Sequence, residues 1–127
     1  MTKWILIAAG GAFGSVLRYA VQGWVQRLSS GSFPIGTLAV NVVGCVLIGF
    51  LTAILTGPVL IREEYRIGLT IGILGGFTTF SAFGLETFML TNAGQNWFAL
   101  LNVALSCGLG LVAVWFGYRV AEYLFGV

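Results

Sequence analysis

The chain has 127 residues, of which 58% are hydrophobic and 8% charged, and its net charge is +2. A soluble domain of this size needs far more charge to cover its surface, and so small a net charge leaves no electrostatic footprint for nucleic acid. With no His and no Asp, Ser-His-Asp and Cys-His catalysis, histidine metal sites and histidine proton relays are all removed.

Three stretches carry no charge: Leu28 to Ile61, Ile67 to Leu85 and Thr87 to Tyr118. A helix crosses a bilayer with about 20 apolar residues, so the pattern predicts an all-α membrane protein of four transmembrane helices. One domain spans 1–127. The first helix is predicted from about Trp4 to Gln26, followed by the polar loop Arg27-Leu28-Ser29-Ser30-Gly31-Ser32. The small residues in it lead straight into more apolar chain, so a cleaved signal peptide is not expected. Phe33-Pro34 opens the second helix, Ile35 to Thr56, because the N–H that Pro lacks is unpaired at a helix start anyway. Gly57-Pro58 stops it. Arg62-Glu63-Glu64-Tyr65-Arg66 is the most charged segment and belongs in water. A third segment follows from about Tyr65 to Thr91, then a turn at Asn92-Ala93-Gly94-Gln95-Asn96 and a fourth helix from about Trp97 to Tyr123. Trp4, Trp24, Trp97 and Tyr123 fall near predicted ends, as an aromatic belt requires.

An even number of spans puts both termini on one side of the membrane. Lys3, Arg62, Arg66 and Arg119 fall on that side and Arg27 on the other, a mild bias toward cytoplasmic termini. Glu63, Glu64 and Glu122 share the richer side, so the charges select no single orientation. Small residues recur at helical spacing in Gly10 and Gly14, in Gly68, Gly72 and Gly76, and in Ser106 and Gly110. In lipid such faces let backbones approach closely. Four helices enclose little of a pathway, which points to a homo-oligomer. Cys45 and Cys107 sit in apolar runs without metal or redox spacing and read as small buried hydrophobes. Gly108-Leu109-Gly110-Leu111-Val112-Ala113 matches a dinucleotide fingerprint, but it follows no strand and lies mid-membrane; chance among 19 glycines explains it.

The informative stretch is Gly75-Gly76-Phe77-Thr78-Thr79-Phe80-Ser81-Ala82-Phe83-Gly84-Leu85-Glu86. Adjacent glycines and then two β-branched threonines are a poor place for a regular helix. A break at membrane depth is tolerated only where protein or water surrounds it. Two readings stand: a glycine kink for packing, or a broken helix whose freed carbonyls coordinate a cation while the next half-helix N-terminus faces an anion. Phe80 and Phe83 share a helix face, with the hydroxyls of Thr79 and Ser81 beside them. They are either lipid and core contacts or ring edges turned toward a small anion. The Asn41 carboxamide, mid-span in the second helix, either bonds across helices or offers its N–H donors to an anion. Asn102 and Ser106, four residues apart, extend a polar track or bond across helices. Arg18 can snorkel toward the end marked by Trp24 and Arg27. Glu86 is an intramembrane ionisable group and so a functional candidate. A carboxylate repels anions, so its expected role is to orient donors or to stand at a pathway mouth.

Together these residues resemble the Fluc (CrcB) fluoride channel family, and the match covers the whole length. It is carried by Gly11-Ala12-Phe13-Gly14 with Arg18-Tyr19, by Gly36-Thr37-Leu38 through Asn41 and Gly44, and above all by the block from Gly75 through Phe83 to Glu86. The resemblance implies a broken third helix and an antiparallel, dual-topology homodimer in the cell inner membrane that passively exports fluoride. It implies two fluoride pathways along the subunit interface, with Phe80, Phe83, Asn41 and Ser81 on them and Thr79, Asn102 and Ser106 extending the polar track. It also implies a structural Na⁺, not transported, held at the dimer centre by the backbone carbonyls of Gly75 and Thr78. Ala82 departs from the pattern, since members often carry a hydroxyl there. Two other classes compete: a proton-coupled small multidrug-type transporter, which needs a first-helix glutamate that this chain lacks, and a non-transporting membrane assembly subunit. No enzymatic activity is expected.

Overall fold

Lipid supplies no hydrogen bonds to a bare backbone, so an apolar chain crosses it as helices that pair their own amides. The computed structural model describes residues 1–56 and 61–126, with the predicted stop at Gly57-Pro58 outside them. It contains four spans: α1 (Thr2–Gln26), α2 (Ile35–Thr56), a composite third span over Glu63–Asn92, and α6 (Asn96–Phe125). Their lengths of 25, 22, 30 and 30 residues all exceed the ~20 a bilayer demands. Among the described residues there is no strand. The ends of α1, α6 and the third span run one or two residues past the predicted limits.

The third span is made of unlike pieces. A short α3 (Glu63–Ile67) leads into a π-helical stretch, Gly68–Leu74, and then into α4 (Gly75–Phe77). Thr78 and Thr79 are extended, and α5 (Phe80–Asn92) resumes beyond them. The wide π turns were not anticipated from the sequence. The adjacent glycines do not interrupt the helix themselves, for Gly75 is regularly helical at φ −62°, ψ −37°.

Side chains and turns fix the connections. Gln26 at the end of α1 donates to Phe33 O at 3.1 Å and accepts from Gly36 N–H at 3.0 Å. One carboxamide thus clips the loop and satisfies an open amide of the first turn of α2. At the end of α5, Gln95 N–H returns to Leu90 O at 2.9 Å and Gly94 N–H to Thr91 O at 3.0 Å. This is a Schellman motif, and its left-handed residue is Gly94 at φ +73°.

Glycine faces set the packing. A Cβ on Gly10 would stand 2.8 Å from Gly68 O, and one on Gly76 would stand 2.6 Å from Gly11 O. These positions bring α1 against the third span, the close backbone approach that G-x-x-x-G spacing allows. The α2–α6 contact closes on glycines other than the Ser106 and Gly110 pair. A Cβ on Gly49 would strike Val114 O and one on Gly117 would strike Val46 O, whereas Gly110 has only an ordinary 3.6 Å contact with Cys45 Sγ. The buried apolar side chains are mostly small or medium, including Val40, Ala53, Ala113 and Ala121; Phe77 is buried with them, while most of the large ones are exposed. That is the arrangement for a chain whose solvent is lipid. At the terminal end Lys3 lies over Trp4 and Arg119 over Trp115.

Candidate functional site

Two extended residues in the middle of a span leave backbone groups that must be paired. Thr78 has φ −89°, ψ 159° and Thr79 has φ −151°, ψ 116°. Asn41 on α2 meets both polar groups of Thr79: its Nδ2 donates to Thr79 O at 3.0 Å and its Oδ1 accepts from Thr79 N–H at 2.8 Å. Thr79 Oγ1 in turn caps α5, accepting from Ala82 N–H at 3.1 Å. Ala82 contributes through its backbone at this third helical position. The Thr78 hydroxyl donates to Leu74 O at 3.0 Å. Gly44, one turn from Asn41, makes room, because a Cβ there would collide with Thr78 Cγ2.

These bonds redirect two amides. In a continuous helix Thr79 N–H would return to Gly75 O and Ala82 N–H to Thr78 O. Both are diverted, to Asn41 Oδ1 and Thr79 Oγ1, so Gly75 O and Thr78 O each lose that amide.

The interruption opens on a cleft of about 380 Å³ between α2, the third span and α6. Asn41, Gly75, Thr78, Thr79, Phe80, Phe83 and Ser106 line it. Phe80 is 82% exposed. The Phe80 and Phe83 ring centroids are 5.4 Å apart with planes tilted by 51°. Ser81 is exposed, with its hydroxyl 3.3 Å from Thr79 Oγ1, and it is not on the lining. Asn102 is not there either. At 1% exposure it donates to Thr87 Oγ1 at 2.9 Å, and Ser106 Oγ reaches Asn102 Oδ1 at 3.4 Å. Asn102 therefore bonds across helices and supports Ser106 from below.

Glu86 belongs to a second cavity, of about 830 Å³, lined also by Gln22, Trp24, Arg27 and Gln95. A chain of bonds leads to it: Gln22 Nε2–H donates to Thr37 Oγ1 at 2.8 Å, and the Thr37 hydroxyl donates to Glu86 Oε1 at 2.6 Å. Glu86 Oε2 is buried with no hydrogen-bond partner among the described residues. Arg18 is half-buried and lines neither cavity; the ion pairs among the described residues are Arg62–Glu64 at 3.4 Å and Arg119–Glu122 at 2.8 Å.

Sequence reasoning passed over Gln22, Thr37 and Thr87 as partners. Spacing offered a signal for Thr37, which stands one turn before Asn41 on the same face of α2. It also misplaced the cysteines. Cys107 is exposed, Cys45 is half-buried, and both line the cleft. The reason lies in the glycines: α2 and α6 close on each other at Gly49 and Gly117, past the level of the thiols.

The chain matches the family model described as CrcB-like protein, Camphor Resistance (CrcB), over residues 5–118. It is 48% identical over 124 residues to the fluoride-specific ion channel FluC of Geobacter sulfurreducens, covering 98% of this chain and 100% of that protein. It is 45% identical over 124 residues to the FluC of Rhizobium etli, covering 98% and 99%. With the FluC of Solibacter usitatus it shares 43% over 120 residues, covering 94% and 98%.

Proposed function

The chain belongs to the CrcB-like family, and on that premise we propose that it is a fluoride-selective channel through which fluoride leaves the cell passively. The observation that carries the reading is the Asn41–Thr79 pairing, which holds an interrupted helix open on a cleft walled by Phe80 and Phe83. The relatives it matches almost end to end are named ion channels, not enzymes.

Fluoride is small and strongly hydrated, so a pathway must replace its water with donors at several weak sites. Asn41 Nδ2 carries two hydrogens and Thr79 O takes one, which leaves the second for the cleft. Of the hydroxyls, Thr79 on the lining adds a donor while Ser106 turns its proton to Asn102 Oδ1, and the rings of Phe80 and Phe83 add positive edges. A narrow path of this kind favours fluoride over the larger chloride.

The working unit is an antiparallel, dual-topology homodimer with two pathways along its interface, in the cell inner membrane. Extended backbone at membrane depth requires protein or water around it. In one copy of the chain the exposed Phe80 stands beside that backbone, and a second copy would cover it. The slight charge bias between the two ends suits insertion in both orientations. The carbonyls of Gly75 and Thr78, relieved of their amides, suit a hard monovalent cation such as Na⁺. Bound there, Na⁺ would fix the interruption and add positive potential to the anion path. Anion efflux from proteoliposomes, fluoride against chloride, tests the reading.

A further inference from the structure

We propose that Cys45 and Cys107 form a two-thiol site for a soft, thiophilic cation on the wall of the cleft, and that its occupation stops anion passage. The blocking effect rests on the channel reading; the binding site does not.

The two sulfurs come from different helices, Cys45 from α2 and Cys107 from α6, and both line the same cleft. Cys45 Sγ lies 3.6 Å from where a Gly110 Cβ would stand. Cys107 precedes Gly110 by three residues on the same face of α6, about 4.5 Å along the axis. Close packing at Gly49 and Gly117 fixes the relative height of the two helices, and so of the thiols. Both thiols are free.

The chemistry of the lining selects the ligand. No carboxylate stands on this cleft, and its other polar atoms are hydroxyls, the Asn41 carboxamide and backbone groups. Sulfur ligands prefer soft ions such as Cu(I) over the hard cations that oxygen binds. On binding, each S–H bond breaks and a sulfur–metal bond forms. Two protons leave to water, and no electron is transferred. The ion then occupies the groove beside Phe83 and Asn41, and its charge holds an arriving anion that conduction requires to be released.

Silver ion, supplied as the nitrate in chloride-free buffer, is the probe. Equilibrium dialysis of the purified protein should find one tightly held silver per chain, and none in the Cys45→Ala/Cys107→Ala double variant. Either single variant should bind at least about tenfold more weakly, having lost one of two soft ligands. In proteoliposomes silver should suppress wild-type fluoride efflux, with recovery on adding excess dithiothreitol. The double variant, referred to its own efflux without silver, should be unaffected. Equal silver binding by wild type and double variant, or none by either, overturns the site. Silver bound with efflux unchanged overturns the block. A wild type without fluoride efflux in the absence of silver overturns the channel reading instead, and dialysis still decides the thiol site.

Discussion

Asn41 and Thr79 are locked to each other through both edges of the carboxamide, at 3.0 Å and 2.8 Å, across 38 residues of sequence. The pairing satisfies both backbone groups of Thr79 where the span is extended. Leaving either group unpaired costs about 1–3 kcal/mol. Asn41→Leu should therefore lower the thermal midpoint of the purified protein and abolish most fluoride efflux. Asn41→Asp keeps an acceptor for Thr79 N–H but turns a second acceptor on Thr79 O, so it should also melt below the wild type while its added charge opposes the anion. Wild-type melting in Asn41→Leu would show that the pairing bears no weight.

Phe80→Ile and Phe83→Ile keep apolar bulk and remove the ring edges. Each should reduce fluoride efflux from liposomes by about tenfold or more, the loss of at least one ~1.4 kcal/mol interaction along the path. Size-exclusion profiles should stay those of the wild type. Near-normal efflux in both variants would remove the rings from the pathway.

The α2–α6 contact depends on two glycines. Gly49→Ala and Gly117→Ala would drive a Cβ into Val114 O and Val46 O, and overpacking of this kind costs about 1–3 kcal/mol. Gly108 has nothing within 4 Å of its Cβ position, so Gly108→Ala should be neutral or stabilising through helix propensity. Thermal unfolding of the three variants in one detergent checks the ordering, and a Gly108→Ala more damaging than the other two would contradict it.

If the carbonyls of Gly75 and Thr78 hold Na⁺, replacing it with a bulky organic cation should slow fluoride efflux and lower the thermal midpoint. Both should recover when Na⁺ is restored. Unchanged efflux and melting after exhaustive replacement would exclude a structural Na⁺.

The four spans were legible because uncharged runs leave a chain few alternatives, and the G-x-x-x-G face of α1 was legible because spacing alone defines it. The candidate site was legible as a set of residue types. Asn41, Thr79, Phe80 and Phe83 stood out as polar or aromatic positions around an awkward helical sequence, and they do share one cleft with Ser106. Their partnerships were not legible. Asn41 admitted either an anion or an interhelical bond, and only the fold brings Thr79 within its reach. Asn102 looked like Ser106 in sequence, yet it is sealed against Thr87. The interruption falls at Thr78 and Thr79, not at the adjacent glycines, because Asn41 supplies pairing there and Gly76 is committed to packing on Gly11. Periodicity assigns a face; it does not say which neighbour closes on it. For the same reason the cysteines were read as buried, when the glycines that close the α2–α6 seam lie past them.

The most direct test reconstitutes the purified protein into liposomes loaded with potassium fluoride or potassium chloride, and follows anion loss with selective electrodes after a potassium ionophore is added. Rapid loss of fluoride with chloride retained is the predicted result. Equal loss of both anions, or retention of both, would contradict a fluoride-selective pathway in this chain.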